Sequence, residues 1–314
     1  MSKRVLIFGA AGYISSSLID ILLNDGYQVA GFDNNFKDTT DTLIPFIRND
    51  NFEFMLGDTT NEDDVKQAYD KFQPDYVFAA SALVGFPICK RLKELATLVN
   101  INGVRNMIHF SDTAKVIFPS TGSVYKPGQP VCDETAIVDP LSHYGYTKIV
   151  GEQIVLEHKN AIVHRYGTAM GASKNNMRVN LLANDLTLQA IANRSITIFE
   201  SSFVRSFIHV EDIAKSIVFS IENFDKMSAD SNRIFNVTNN NINLTKRDLC
   251  ELIKLKTGCN VTYAEVNKDL DQRNYTMNAD KIYTLGFEPS IGLEETIDEL
   301  IKLSPLLSTF DKYR

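Results

Sequence analysis

Short β-branched runs alternate with stretches of helical periodicity through the first half of the chain. Arg4–Phe8, Gln28–Phe32, Phe52–Met55, Tyr76–Ala79, Val116–Phe118 and Ala161–His164 read as strands. Between them, Ile14–Asn24, Glu62–Phe72, Leu92–Ser111 and Tyr146–Glu157 read as helices. Alternation of this kind predicts an α/β fold, a doubly wound parallel sheet covered by helices on both faces. Beyond residue 170 the rhythm loosens. Asn180–Asn193, Val210–Ile221, Leu244–Thr257 and Leu293–Leu303 read as helices, and Ile196–Phe199 and Ile234–Val237 as strands. This predicts a smaller, mixed C-terminal lobe. Residues 1–170 form the sheet domain, rejoined by a segment at about 206–238, and 171–205 with 239–314 form the lobe. A site is expected in the cleft between them, outside the carboxyl ends of the strands.

Chemistry enters at the turn after the first strand. Gly9-Ala10-Ala11-Gly12-Tyr13-Ile14-Ser15 is a Gly-x-x-Gly-x-x-Ser loop. Gly9 permits a tight turn. Gly12 lets backbone approach a pyrophosphate at a helix N-terminus, where N–H groups and the helix dipole favour anions. Ser15 stands where a third glycine is usual and is small enough for close packing of helix on sheet. Such a loop alone can be an ordinary strand-to-helix turn, so context decides. Asp33 ends the second strand, where a carboxylate accepts hydrogen bonds from both ribose hydroxyls. A 2′-phosphate would meet that negative charge, and no Arg follows in Asn34-Asn35-Phe36, which points to NAD over NADP. Asp58, in Gly57-Asp58-Thr59, follows the third strand as either an adenine contact or a plain turn aspartate. Tyr13, Ile14, Asn34, Thr59, Ala79 and Ala80 complete the expected cofactor contacts on these loops.

Tyr144-Gly145-Tyr146-Thr147-Lys148 opens a helix after Pro140. Positions i and i+4 share a helix face. An ammonium held beside a phenol lowers its pKa by stabilising phenolate. A phenolate can take the proton of a sugar hydroxyl as hydride leaves to nicotinamide. The hydroxyl of Thr121, just after the Val116–Phe118 strand, could steady the same oxygen. A lone Tyr-x-x-x-Lys is more often a surface pair, but these features in this order after a dinucleotide loop favour chemistry.

Here the chain resembles the extended short-chain dehydrogenases/reductases, also called NAD-dependent epimerase/dehydratases. The resemblance covers nearly the whole length. It rests on Gly9–Ser15, Asp33-Asn34, Gly57-Asp58, Asn100-Ile101-Asn102-Gly103, Pro119–Tyr125, Tyr144–Lys148, Arg165-Tyr166 and Arg205–Ala214. It implies a Rossmann-type domain with a small C-terminal substrate lobe, commonly a homodimer through a helical bundle. It also implies catalysis by Thr121, Tyr144 and Lys148, with Lys148 contacting the nicotinamide ribose, Asn100 among the cofactor contacts, and Ser123 beside the substrate.

Arg205-Ser-Phe-Ile-His-Val210 resembles the segment that, in nucleotide-sugar members, presents an Arg to a diphosphate. A guanidinium fork suits phosphate oxygens; the plainer reading is a surface ion pair, for instance with Glu200. Asn180 matches a substrate-contacting Asn. Thr197 and Phe199 match the segment lining the nucleobase, although Phe199 could equally be core. Lys268 stands where a second phosphate-binding Arg is expected, with Arg273 nearby. Thr168 replaces an Asn frequent in epimerases, and Asn176-Met177-Arg178-Val179-Asn180 resembles a less characterised sugar-nucleotide branch. In 4,6-dehydratases Asp-Glu follows the catalytic Thr; Gly122-Ser123 stands there instead, which disfavours water loss. The expected activity is NAD-dependent oxidation of a nucleotide-diphosphate sugar at C4, as a 4-epimerase. The alternatives are a 4-dehydrogenase releasing a 4-keto sugar, as in the GDP-heptose type, a keto-sugar reductase, and a non-catalytic NAD-binding protein.

Composition agrees with this. The 314 residues are 44% hydrophobic, enough for a large core. The net charge of −7 gives no basic face for nucleic acid. No apolar run long enough for a membrane span occurs, and the apolar run at Val5 is too short for a signal peptide. Cys89, Cys132, Cys250 and Cys259 form no CxxC pair, so reduced thiols and a cytoplasmic location are expected. The five histidines lack metal-ligand spacing, and no metal is expected.

Overall fold

The computed structural model describes residues 2–264 and 274–306. Its centre is a seven-stranded sheet, parallel throughout. Five strands are labelled in chain order: β1 (Arg4–Phe8), β2 (Gln28–Asp33), β3 (Phe52–Leu56), β4 (Tyr76–Ala79) and β5 (Lys115–Thr121). From one edge the order is Ile234–Val237, Ala161–Tyr166, β5, β4, β1, β2, β3. The order reverses between β1 and β4, which opens a crevice at their carboxyl ends, the switch point where open α/β sheets bind ligands.

The period-two alternation along β1 shows why both faces are covered. Val5 and Ile7 face a cluster with Leu18, Ile19 and Leu22 of helix Tyr13–Asn24 and Ile213 and Ile217 of helix Val210–Glu222. Leu6 and Phe8 face the opposite cluster, with Val65, Ala68 and Phe72 of helix Glu62–Phe72 and Val155 of helix His143–Glu157. With apolar residues required on both sides, no polar position interrupts the strand.

The single helix expected over Leu92–Ser111 is broken. Helices Phe86–Arg91 and Lys93–Thr97 are followed by a π-helical turn, Leu98–Gly103, and then by Val104–His109. The π turn lies where the side chain of Asn100 turns inward: it donates to the Leu83 carbonyl (3.0 Å) and the Thr147 hydroxyl (3.0 Å) and accepts from the Leu83 N–H (2.8 Å). Such turns concentrate at functional sites.

The C-terminal lobe holds a three-stranded mixed sheet, Asn243–Thr245, Val204–His209 and Thr168–Met170, and a parallel pair, Ser195–Phe199 with Asn260–Ala264. Helices Leu182–Asn193, Lys246–Thr257 and Leu293–Leu303 close over Ile196, Ile198, Leu249, Ile253 and Leu300. Two boundaries differ from expectation. Asn180 lies before its helix, which begins at Leu182, and Leu244 belongs to a strand because Thr245 caps the following helix.

Candidate active site

The loop Gly9–Gly12 fills the crevice floor with bare backbone. Gly9 has φ +77°, and a Cβ there would come within 2.9 Å of the Ser81 nitrogen at the end of the loop entered through Ala79 and Ala80. A Cβ on Gly12 would meet the Gly9 carbonyl oxygen at 2.9 Å. Helix Tyr13–Asn24 starts there, so Tyr13 and Ile14 occupy its first turn, with Ser15 buried in the third glycine's place. Asp33 accepts from the Ala11 N–H (3.1 Å) and the Asn35 N–H (2.9 Å). A carboxylate has about four acceptor sites, so capacity remains for ribose hydroxyls. Burial pushes its pKa above the ordinary value, against the hydrogen bonds that favour the charged form.

Asn34 donates to Asp58 (2.9 Å). For Asp58 burial acts upward, but hydrogen bonds from Thr60 and Asn34 prevail and hold its pKa below the usual range. Thr59 is buried against the π turn, 3.2 Å from the Ser81 hydroxyl. A bare-backbone loop, a helix N-terminus and a ribose-facing carboxylate together fit NAD. Both N–H donors of Asn100 go to Leu83 and Thr147, so it braces the Leu83 loop against the helix that carries Tyr144 and Lys148.

That helix, His143–Glu157, starts earlier than expected because Ser142 caps it, accepting from the Gly145 N–H (3.0 Å). Its approach to β5 depends on two glycines. A Cβ on Gly145 would lie 2.6 Å from the Ser123 carbonyl oxygen, and one on Gly151 would lie 2.6 Å from the Phe118 ring. Tyr144 is therefore set against the turn after Thr121, packed with Leu83, Cys89, Ala96 and Val99. Thr121 ends β5 and donates to the Ser123 hydroxyl (3.1 Å). Lys148 is buried, donates to the Pro119 carbonyl (2.7 Å), and sits 4.6 Å from the Phe118 ring centroid. Burial lowers its pKa to about 8, partly offset by Cys89 and Glu152. The Lys148–Pro119 bond thus joins the helix that carries Tyr144 to the strand that ends in Thr121.

Beneath them lies a network that reading the sequence missed. Glu152 accepts two bonds from Arg165, from Nε (3.0 Å) and Nη2 (2.7 Å), with both side chains buried. Ser120 also donates to Glu152. Arg165 donates to the Tyr125 hydroxyl (3.2 Å), which donates to Asn236 (2.7 Å). Helix glycines at 145 and 151 were the available signal, since glycine inside a helix costs about 1 kcal/mol and calls for a packing reason.

Of the expected substrate residues, Asn180, Thr197, Phe199 and Arg205 lie in the lobe. Arg205 is only 3% exposed, so it is not a surface residue; it lies in strand Val204–His209 beside Leu244. Asn180 is exposed and accepts from Arg178 (3.1 Å). Thr197 and Phe199 alternate with the core residues Ile196 and Ile198, which places both on the face away from that core. Ser123 lies in the turn after Thr121. Lys268 and Arg273 lie outside the described residues.

A glycine-loop crevice, with the helix of Tyr144 and Lys148 held against the strand that ends in Thr121, is the fold of a Rossmann-type enzyme of the short-chain dehydrogenase class. The family model described as the NAD dependent epimerase/dehydratase family matches residues 5–238, and the chain belongs to that family. It is 24% identical to a CDP-paratose 2-epimerase of Salmonella typhi, covering 95% of this chain and 98% of that one. It is 27% identical to a UDP-glucose 4-epimerase of Mycolicibacterium smegmatis, covering 68% of this chain and 72% of that one. The solved UDP-glucuronic acid 4-epimerase from Bacillus cereus, in complex with UDP-glucuronic acid and NAD, shares the fold with a TM-score of 0.83 at 23% identity, over 97% of this chain and 99% of that one. The chain is an NAD-dependent enzyme. Among the described residues no helix is long and apolar enough to cross a membrane.

Proposed function

We propose that the protein is a nucleotide-sugar 4-epimerase, oxidising the sugar at C4 and reducing it again from the other face. The observation that carries the reading is the joining of the Tyr144 helix to the Thr121 turn and to the Pro119 carbonyl through Gly145 and Lys148. When bound, NAD supplies the hydride acceptor. Thr121 holds the C4 oxygen, Tyr144 takes its proton as phenolate, and Lys148 favours that phenolate. After the keto-sugar turns over, Tyr144 returns the proton as C4 is reduced. Gly122-Ser123 supply no carboxylate for elimination of water. The relatives that are UDP-glucose 4-epimerases support the same choice. In this reading Arg205, Asn180, Thr197 and Phe199 meet the nucleotide diphosphate, and the enzyme works as a cytoplasmic homodimer.

Incubation with UDP-, GDP-, dTDP- and CDP-sugars, followed by NMR of the products, should show a C4-inverted sugar without net reduction of NAD. Tyr144→Phe should lower turnover by at least about 100-fold while NAD stays bound. Turnover close to that of the parent would discard the mechanism. A 4-keto product formed with equal NADH would replace epimerase by dehydrogenase.

A further inference from the structure

Residues 274–278 come late in the chain but pack on the turn that follows β5. Thr276–Met277 is a short strand, paired parallel with Val131–Cys132. The Asn274 carbonyl accepts from the Gly128 N–H (3.1 Å), and the Asn278 N–H donates to the Cys132 carbonyl (3.0 Å). Asn236, which ends the buried network under β5, donates to the Asn278 carbonyl (2.9 Å). The Met277 N–H donates to the Ser206 hydroxyl (2.7 Å). These bonds fix the run, and they set one side chain over Gly122. Met277 is 1% exposed, and a Cβ on Gly122 would run into its sulfur; the Tyr275 hydroxyl would lie 3.1 Å from the same Cβ. Met277 and Tyr275 share a buried cluster with Val124 and Tyr125, and Ile149, the residue after Lys148, packs against it.

We propose that Met277 is a positioning residue for Thr121, holding the turn in the fold that aims the Thr121 hydroxyl at the sugar oxygen. The inference rests on the role given to Thr121 in the proposed function. The Thr121 hydroxyl donates to the Ser123 hydroxyl (3.1 Å) and accepts from the Ser123 N–H (3.2 Å), so its direction follows the path of the backbone through Gly122. Glycine loses more freedom on folding than any other residue and brings no side chain to fix its own path. The sulfur of Met277 takes that part. Close-packed side chains pass on displacement with little slack, and methionine can fill the irregular space beside bare backbone. Helix His143–Glu157 supports the same turn through Gly145. A misplacement of about 1 Å in a reacting group can cost about 100-fold in rate, so a support of this kind is felt in chemistry before binding.

Two readouts separate this inference from the choice of sugar chemistry. One is the reduction of bound NAD in a single turnover, the step that epimerase and dehydrogenase share, so a 4-keto product would revise the proposed function and leave the test standing. The other is hydrogen exchange of the peptide over residues 121–125, read without substrate. Met277→Ala should slow NAD reduction about 10- to 100-fold at an unchanged half-saturating concentration of nucleotide sugar, and should speed exchange at 121–125. Met277→Leu, of similar volume, should restore both. Gly122→Ala, whose methyl meets the sulfur, should also slow reduction, and Gly122→Ala combined with Met277→Ala should be faster than Gly122→Ala alone. Parent-like exchange in Met277→Ala overturns the inference whatever the sugar. So does a parent-like rate with the turn loosened, which would make Met277 packing alone. Losses that multiply in the double variant overturn it as well. If Met277→Ala does not fold, as judged by circular dichroism, Met277→Val decides on the same outcomes.

Discussion

Under the carboxyl end of β5 the protein buries Ser120, Lys148, Glu152, Arg165 and Asn236 together. The C-terminal lobe also buries Arg205 and Lys246, but its central cluster is aliphatic: Leu186, Ile196, Ile198, Leu249, Ile253 and Leu300. The two regions sit in one chain and serve different ends. Charges taken out of water are costly, and a paired set is seldom more stabilising than well-packed apolar side chains of the same volume. The lobe core follows the cheaper route. The β5 region does not, and its Glu152–Arg165 pair lies on the helix and the strand that flank Thr121 and Lys148, the residues assigned to chemistry in the proposed mechanism.

The largest effect that tests this contrast is at Glu152. Glu152→Ala leaves the Arg165 guanidinium buried without its carboxylate, which should cost about 3–5 kcal/mol in urea unfolding. The double change Glu152→Leu with Arg165→Met should recover most of that loss, while turnover stays depressed. Recovery of both would make the network a packing device and dissolve the contrast.

Lys148 gives the next effect. Its folded pKa of about 8 lies below the ordinary lysine value of 10.5, so between those values the unfolded chain binds more protons and the folded state gains stability as pH rises. The gain is on the order of 3 kcal/mol. The difference in unfolding free energy between the parent and Lys148→Met should therefore move in favour of the parent from pH 8 to pH 10.5. A flat difference would mean that Lys148 is not burdened by burial.

The contrast also marks what the sequence made legible. β1, β2, β4 and the glycine loop were readable because burial on both faces leaves uninterrupted apolar runs, and because Gly9 needs a conformation few residues adopt. The Tyr144–Lys148 spacing was readable because one helix face carries both. The π turn at Leu98–Gly103 was hidden: its residues have ordinary helical patterning, and its cause is the long-range bonding of Asn100 to Leu83 and Thr147. The Glu152–Arg165 pair was hidden likewise: the glycines at 145 and 151 signal close packing of the helix, but nothing local shows that an arginine of the neighbouring strand will meet the glutamate. In the lobe, short strands such as Asn243–Thr245 carry too few residues to show a period.

The smallest effect belongs to the lobe. Thr245 caps helix Lys246–Thr257, accepting from the Asp248 N–H (3.1 Å), while Asp248 accepts from the Thr245 N–H (3.0 Å). Removing the cap hydroxyl in Thr245→Ala should cost about 1 kcal/mol, read as a shift in urea midpoint. Thr245 also pairs with Val204, the residue before Arg205. If the lobe serves to hold substrate and the β5 region to do chemistry, the loosened strand should raise KM for the nucleotide sugar and leave kcat in place. A fall in kcat with KM unchanged would show that the lobe shares in orienting the reacting groups, and the division between the two regions would fail.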